Sequence, residues 1–125
     1  MSLLLFALSA CAATATSLCL AGERFRVFTR FRKSDGTLAL GQTVPFTADS
    51  GSFWFFGADN IEVNVKVLDG CAVNGRYWVF ASGGTNVEVQ VVVVDTKTGT
   101  QKVYDRPAGP LFATLADTNA FATCP

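Results

Sequence analysis

The sequence predicts an all-β protein: an antiparallel β-sandwich of the Ig-like kind, or a small barrel, of about seven to eight strands. Three observations point there. Half of the 125 residues are hydrophobic, with eleven Phe, many Val and Thr and a single Met; β-branched and aromatic side chains suit a pleated, half-buried surface better than a helix. From residue 23 onward apolar and polar residues alternate with a period of two. Clusters of Gly, Asp and Asn interrupt that alternation about every ten residues, as short strands joined by turns require. A chain of this length holds one domain, which buries roughly two-thirds of the surface it exposes when unfolded.

The first strand is read in GERFRVFTRFRK, residues 22–33. Phe25, Val27, Thr29 and Phe31 fall on one face, and Arg24, Arg26, Phe28, Arg30 and Arg32 on the other. Phe25, Phe28 and Phe31 are also spaced for a helix, but a helical wheel sets Arg24 and Arg32 inside its apolar sector. The strand reading therefore wins. Ser34-Asp35-Gly36-Thr37 is a turn, and the next strand, Gln42 to Thr47, contains Pro45, which cannot donate to a ladder and marks an edge or a bulge. Asp49-Ser50-Gly51 turns into Ser52 to Phe56, aromatic on both faces. After Gly57 to Asn60 comes the clearest alternation, Ile61, Val63, Val65 and Val67 inward against Glu62, Asn64 and Lys66 outward. Arg76 to Ala81, Val87 to Asp95 and Thr100 to Asp105 are further strands, separated by Gly83 to Asn86 and Thr96 to Gly99. Beyond Pro107 and Pro110 the pattern weakens, and Leu111 to Cys124 reads as a short strand or turn.

Charge is balanced at ten basic against ten acidic residues, so no global field draws the molecule to nucleic acid or an anionic membrane. Arg24, Arg26, Arg30, Arg32 and Lys33 supply five of those ten basic residues, which leaves five for the rest of the chain. Any basic patch is local. The apolar run Leu3 to Leu8, with Leu8-Ser9-Ala10 before Cys11, looks like the tail of a bacterial lipoprotein signal. No Lys or Arg precedes it, and a bilayer span needs about 20 residues. Residues 1–10 are accordingly read as a signal-like or truncated signal segment, residues 11–125 as a single β domain, and the chain as exported, extracellular or at the cell surface or periplasm.

Four Cys with no His, and without closely spaced Cys pairs, read as disulfides rather than a zinc site. Of the three connectivities available, Cys11 with Cys19 and Cys71 with Cys124 is the one expected. In the chain-entropy model the two loops contribute about 2.5 and about 4 kcal/mol. A lipid on Cys11 is the competing reading, because it would leave Cys19 without a partner.

FWFFGADNIEVNVKVLDGCAVNGRYWVF, followed by VVVVDTKTGTQKVYDRPAG and ending DTNAFATCP, resembles a small all-β module that recurs in secreted proteins and lipoproteins of environmental bacteria. The resemblance spans about Cys11 to Pro125. Its most specific blocks are Cys19-Leu20, Asn60 to Asn74 and Asp95 to Gly99. It implies a Cys71 to Cys124 pair and a paired Cys11 to Cys19 loop, and it brings no catalytic residues and no established activity.

Without His, Ser-His-Asp and Cys-His catalysis lack their base and the commonest neutral metal ligand is missing. Glu62 and Glu88, on outward strand faces, have the chemistry of a glycosidase pair, but outward carboxylates ordinarily balance cross-strand cations such as Arg26 or Arg30. Asp35, Asp49, Asp59, Asp69, Asp95 and Asp117 lie in turns; they offer calcium its preferred oxygen ligands, but Asp is also the ordinary turn-capping residue. No cofactor is expected. Trp54, Tyr77 and Trp78 would make a sugar-stacking platform only if they shared an exposed face, and Tyr77 and Trp78 point oppositely. The Arg strip with Phe28 interleaved suits single-stranded nucleic acid, against which export and zero net charge both argue.

The expectation is thus a non-catalytic, exported binding or structural module at the bacterial surface, with a protein or glycan partner and no nucleic acid. Trp54, Trp78, Arg24, Arg26, Arg30 and Arg32 are its candidate contacts, and any membrane attachment would run through Cys11. Two alternatives stand beside it: a carbohydrate-binding accessory domain, and a secreted inhibitor or self-assembling subunit. The second draws on Val92 and Val94, which put an apolar patch on an otherwise polar strand face.

Overall fold

A computed structural model describes residues 11–125; the signal-like segment 1–10 lies outside the described residues. Ten strands follow one another: β1 Leu18–Leu20, β2 Phe25–Arg32, β3 Leu38–Leu40, β4 Gln42–Pro45, β5 Ser50–Trp54, β6 Ile61–Gly70, β7 Arg76–Gly83, β8 Val89–Asp95, β9 Gln101–Arg106 and β10 Leu115–Phe121. One turn of helix, α1 Cys71–Asn74, links β6 to β7. The strands form two antiparallel five-stranded sheets, so the architecture is the sandwich and not the barrel. In the first sheet the order is β1-β2-β8-β9, and β3 shares the β1 edge of β2, pairing its far end from Arg30 to Arg32. The second is β10-β7-β6-β5-β4. Pro45 sits on the edge strand β4, where its missing N–H is harmless.

The alternation read from the sequence places the core. Phe25, Val27, Thr29 and Phe31 of β2 face inward with Val89, Val91, Val93 and Asp95 of β8, and Val63, Val65 and Val67 of β6 meet them from the other sheet with Phe53 and Val79. Phe25 lies 4.8 Å from Tyr77 and 4.9 Å from Phe121 between ring centroids. At the other end Phe31 stacks on Phe55 at 4.3 Å. Aromatic pairs at these spacings add about 0.5–1.5 kcal/mol beyond the area they bury.

Both expected disulfides are present, Cys11–Cys19 and Cys71–Cys124, with Cα separations of 5.9 and 5.8 Å. The Cys11 sulfur is thus engaged in the disulfide, the first of its two competing readings. Three elements went unread in the sequence. β1 and β3 have only three residues each, too few for a period to show, and α1 ends on Gly75 at φ 74°, its amide bonded to the Cys71 carbonyl. The aromatic run also divides differently from the expectation: β5 ends at Trp54, and Phe55 and Phe56 belong to the turn that follows.

Candidate functional site

The basic strip does not act as one surface. Residues 21–23 are all left-handed, with φ of 54°, 70° and 67°, and this turn rotates Arg24 out of the strand's alternation. Its guanidinium reaches the end of β8, donating to both oxygens of the fully buried Asp95 at 2.9 Å, to the Tyr77 hydroxyl at 2.9 Å and to the Thr123 carbonyl at 2.8 Å. It also lies 4.6 Å over the Tyr77 ring. Burial pushes the Asp95 carboxyl up, but hydrogen bonds from Arg24, Thr123, the Lys97 amide and Thr98 outweigh it and hold the group far below the ordinary carboxylate range. Arg24 is therefore an internal tie between β2, β8, β7 and the C-terminal segment.

Arg32 pairs with Glu88 at 3.1 Å, both side chains exposed, and donates to the Gly36 carbonyl. Glu88 thus meets Arg32 rather than Arg26 or Arg30, because it lies in the loop before β8. Arg26 and Arg30 form no ion pair among the described residues. They flank Phe28 instead, with their guanidinium carbons 5.5 and 5.7 Å from its ring centre. Phe28 is the apolar wedge between two cations, an arrangement that contributes about 0.5–1 kcal/mol per pair at an exposed site. Register aligns Phe28 with Val92 and Val103. Val92 is only 1% exposed, however, and the apolar surface falls on Val103 with Leu38 and Leu40 of β3.

The aromatic candidates part company. Tyr77 is core. Trp54 and Trp78 are both half-buried on the outer face of the second sheet, since they share the alternation phase opposite Phe53 and Val79. Trp78 is level with Leu68, and Trp54 with Ile61, so that about seven residues, roughly 20 Å, separate them along the strands. They cannot stack on one sugar ring. Trp78 packs edge-on against Phe80 and donates its indole N–H to Asn74.

The site the sequence did not disclose is at the end of the sandwich where the β5–β6, β7–β8 and β9–β10 loops meet. Between Phe53 and Trp54 the β5–β6 register slips: Phe53 faces Val63, while Trp54 faces Ile61. Glu62 is therefore an extra residue, a β-bulge, and bulges re-aim side chains. Ile61, expected inward, is exposed, and Glu62, expected outward, is buried at 5%. Glu62 lines a depression of about 570 Å³ with Asn60, Thr85, Asn86, Gly84, Gly109 and Phe56. Asn60 donates its side-chain N–H to Glu62 at 3.1 Å.

The walls are held from several sides. The Gly84 amide bonds to the Glu62 carbonyl, Phe112 to Thr85 and Gly109 to Asn86, at 3.0, 2.9 and 3.0 Å. Phe112 is buried behind the pocket. Phe56, 59% exposed, stands at the mouth and is pinned edge-on to Phe31 at 5.2 Å. A second depression adjoins it, sharing Phe56, Asn86 and Val87 and lined further by Arg32, Lys33 and Glu88. Of the six candidate contacts, Arg32 lines this second depression, and Trp54, at the same end of β5, lies on the outer sheet face and lines neither depression.

Among the described residues no cluster of His, Cys, Asp or Glu is arranged to hold a metal. Asp35, Asp69, Asp95 and Asp117 each accept the backbone N–H two residues on, at 2.9, 2.9, 3.0 and 3.0 Å. That is the turn-capping role of the residue. No helix of the described residues is long and apolar enough to cross a membrane. No protein-family model, curated protein or solved structure matches the chain.

Proposed function

We propose that this chain is a non-catalytic binding module of an exported protein, holding its ligand at the loop end of the sandwich. One observation carries the reading: a buried acidic residue, Glu62, lines a polar depression whose rim bears an exposed, anchored aromatic ring. Concave sites with a few convergent polar groups and apolar walls are where small ligands bind. Rigid strands carry the floor and loops carry the rim, the usual division of labour in a sandwich. The engagement of Glu88 with Arg32, and its place on the neighbouring depression, speak against a glycosidase pair with Glu62. Two disulfides in so small a domain fit an oxidising compartment. The bacterial cell surface suggested by the resemblance belongs to the same proposal.

The test is a ligand panel of neutral, acidic and amino-bearing glycans and short peptides, followed by amide NMR. A bound ligand should shift Gly84, Thr85, Asn86 and Gly109. Shifts confined to the outer sheet faces would overturn the loop-end assignment, and turnover of any glycan would overturn the non-catalytic one.

A second reading, self-association through the outer face of the first sheet, is favoured by the row Leu40, Arg30, Gln90 and Asp105. A two-fold axis parallel to the strands above β8 would set Arg30 of one copy opposite Asp105 of the other, over exposed Val103. Sedimentation of the wild type and Val103→Lys decides it: a monomer at millimolar concentration removes this reading.

A further inference from the structure

We infer that the loop-end pocket takes a primary ammonium group carried on a sugar ring, the chemistry of an amino-sugar oligomer with free amines. The inference rests on the loop-end binding reading and names its ligand. Its first support is an unbalanced charge. The ion pairs of the described residues are Arg24–Asp95, Arg32–Glu88 and Lys102–Asp117, and none includes Glu62. A carboxylate that is 5% exposed with one side-chain hydrogen bond, from Asn60, lacks the cation that would offset its desolvation. Asp95, the other deeply buried acid, has a bidentate guanidinium. The contrast sets Glu62 apart as a buried carboxylate with no cation of its own among the described residues.

The lining supplies the second support. Because the Asn60 amide nitrogen donates to Glu62, its carbonyl oxygen is left as a further acceptor. Thr85 is buried and its hydroxyl oxygen accepts the Val87 N–H at 3.1 Å, so its own proton is available to a ligand oxygen. Two acceptors beside one donor match an ammonium next to a hydroxyl. The third support is Phe56, whose exposed ring stands at the mouth, where the apolar C–H face of a sugar can rest. At about 570 Å³ the space exceeds a lone ammonium and admits a ring.

The experiment is calorimetry with four compounds: a glucosamine tetramer, its fully N-acetylated counterpart, a neutral glucose tetramer and hexylamine. The glucosamine tetramer should bind at least ten-fold more tightly than the other three. Glu62→Gln should remove that preference without lowering the melting temperature, since it discharges a buried group, and Phe56→Ser should weaken binding several-fold. Equal affinity for the N-acetylated or neutral tetramer would overturn the ammonium assignment while the loop-end reading survives, provided the same amides shift. Hexylamine binding as tightly as the tetramer would overturn the sugar assignment. Binding of none of the four overturns the inference, and the wider panel then judges the loop-end reading by itself.

Discussion

Replacing Arg24 with Met isolates the internal tie at the start of β2. The substitution keeps an apolar stem of similar length and removes two donors to Asp95, one to Tyr77 and one to the Thr123 carbonyl. Asp95 is fully buried, and the Lys97 amide would remain as its backbone donor. Removing one partner of a buried pair costs about 3–5 kcal/mol, because a charge is left without compensation. Against a total stability of about 5–15 kcal/mol, that is a large fraction.

Urea denaturation at pH 7 measures it, and pH dependence identifies its cause. In the wild type the Asp95 carboxyl is held below its unfolded value of about 3.9. Its stabilising contribution is therefore complete above that value and lost as pH falls further, through the folded value. In Arg24→Met the guanidinium is gone, and burial, opposed only by the remaining Lys97, Thr98 and Thr123 hydrogen bonds, raises the carboxyl above its wild-type position, so the gap between variant and wild type should narrow as pH falls from 7. Arg24→Met/Asp95→Leu, which removes both charges, should be less destabilised than the single variant. A single-variant loss under about 1 kcal/mol, or a gap independent of pH, would refute the assignment.

Three further outcomes follow from the geometry. Cys71→Ser/Cys124→Ser should lose about 4 kcal/mol and Cys11→Ser/Cys19→Ser about 2.5 kcal/mol, compared by denaturant midpoint, with intact mass before and after reduction confirming two bridges in the wild type. Gly70→Ala should cost about 1–3 kcal/mol by overpacking, because a Cβ there runs into the Trp78 indole; unchanged tryptophan fluorescence would contradict the contact. Burial, helped by the hydrogen bond at 2.7 Å to Asp117, pushes the Tyr104 hydroxyl well above its usual range. Its contribution is present below about pH 10, where an unfolded tyrosine titrates, and is lost as pH rises beyond that. Tyr104→Phe should accordingly flatten the alkaline fall in stability.

The fold was legible wherever one face of a strand is buried for its whole length. β2 and β8 show this, with Phe25 to Phe31 and Val89 to Asp95 in the core as their alternation required. β10 was harder to read, because Leu115 to Phe121 carries exposed Ala116, Thr118 and Asn119 and a register shift after Asp117. The disulfide pairing was anticipated, but the mate of each arginine was not. Partners such as Asp95 for Arg24 are 71 residues away, and a turn of left-handed residues decides which side chain leaves the strand's phase. Glu62 was legible as a strand residue and illegible as a site, since period two assigns it outward and only a one-residue slip turns it in.

That slip has a hereditary side. A bulge alters the phase of a strand, so its natural mode of change is an insertion or deletion and not a substitution. Losing one residue at Ile61–Glu62 would return β6 to plain alternation and abolish the pocket floor, while Val63, Val65 and Val67 kept their neighbours in β5 and β7. Among divergent versions of this chain, the spacing between Trp54 and Val63 is therefore the character that should segregate with binding, more faithfully than the identity of any one side chain.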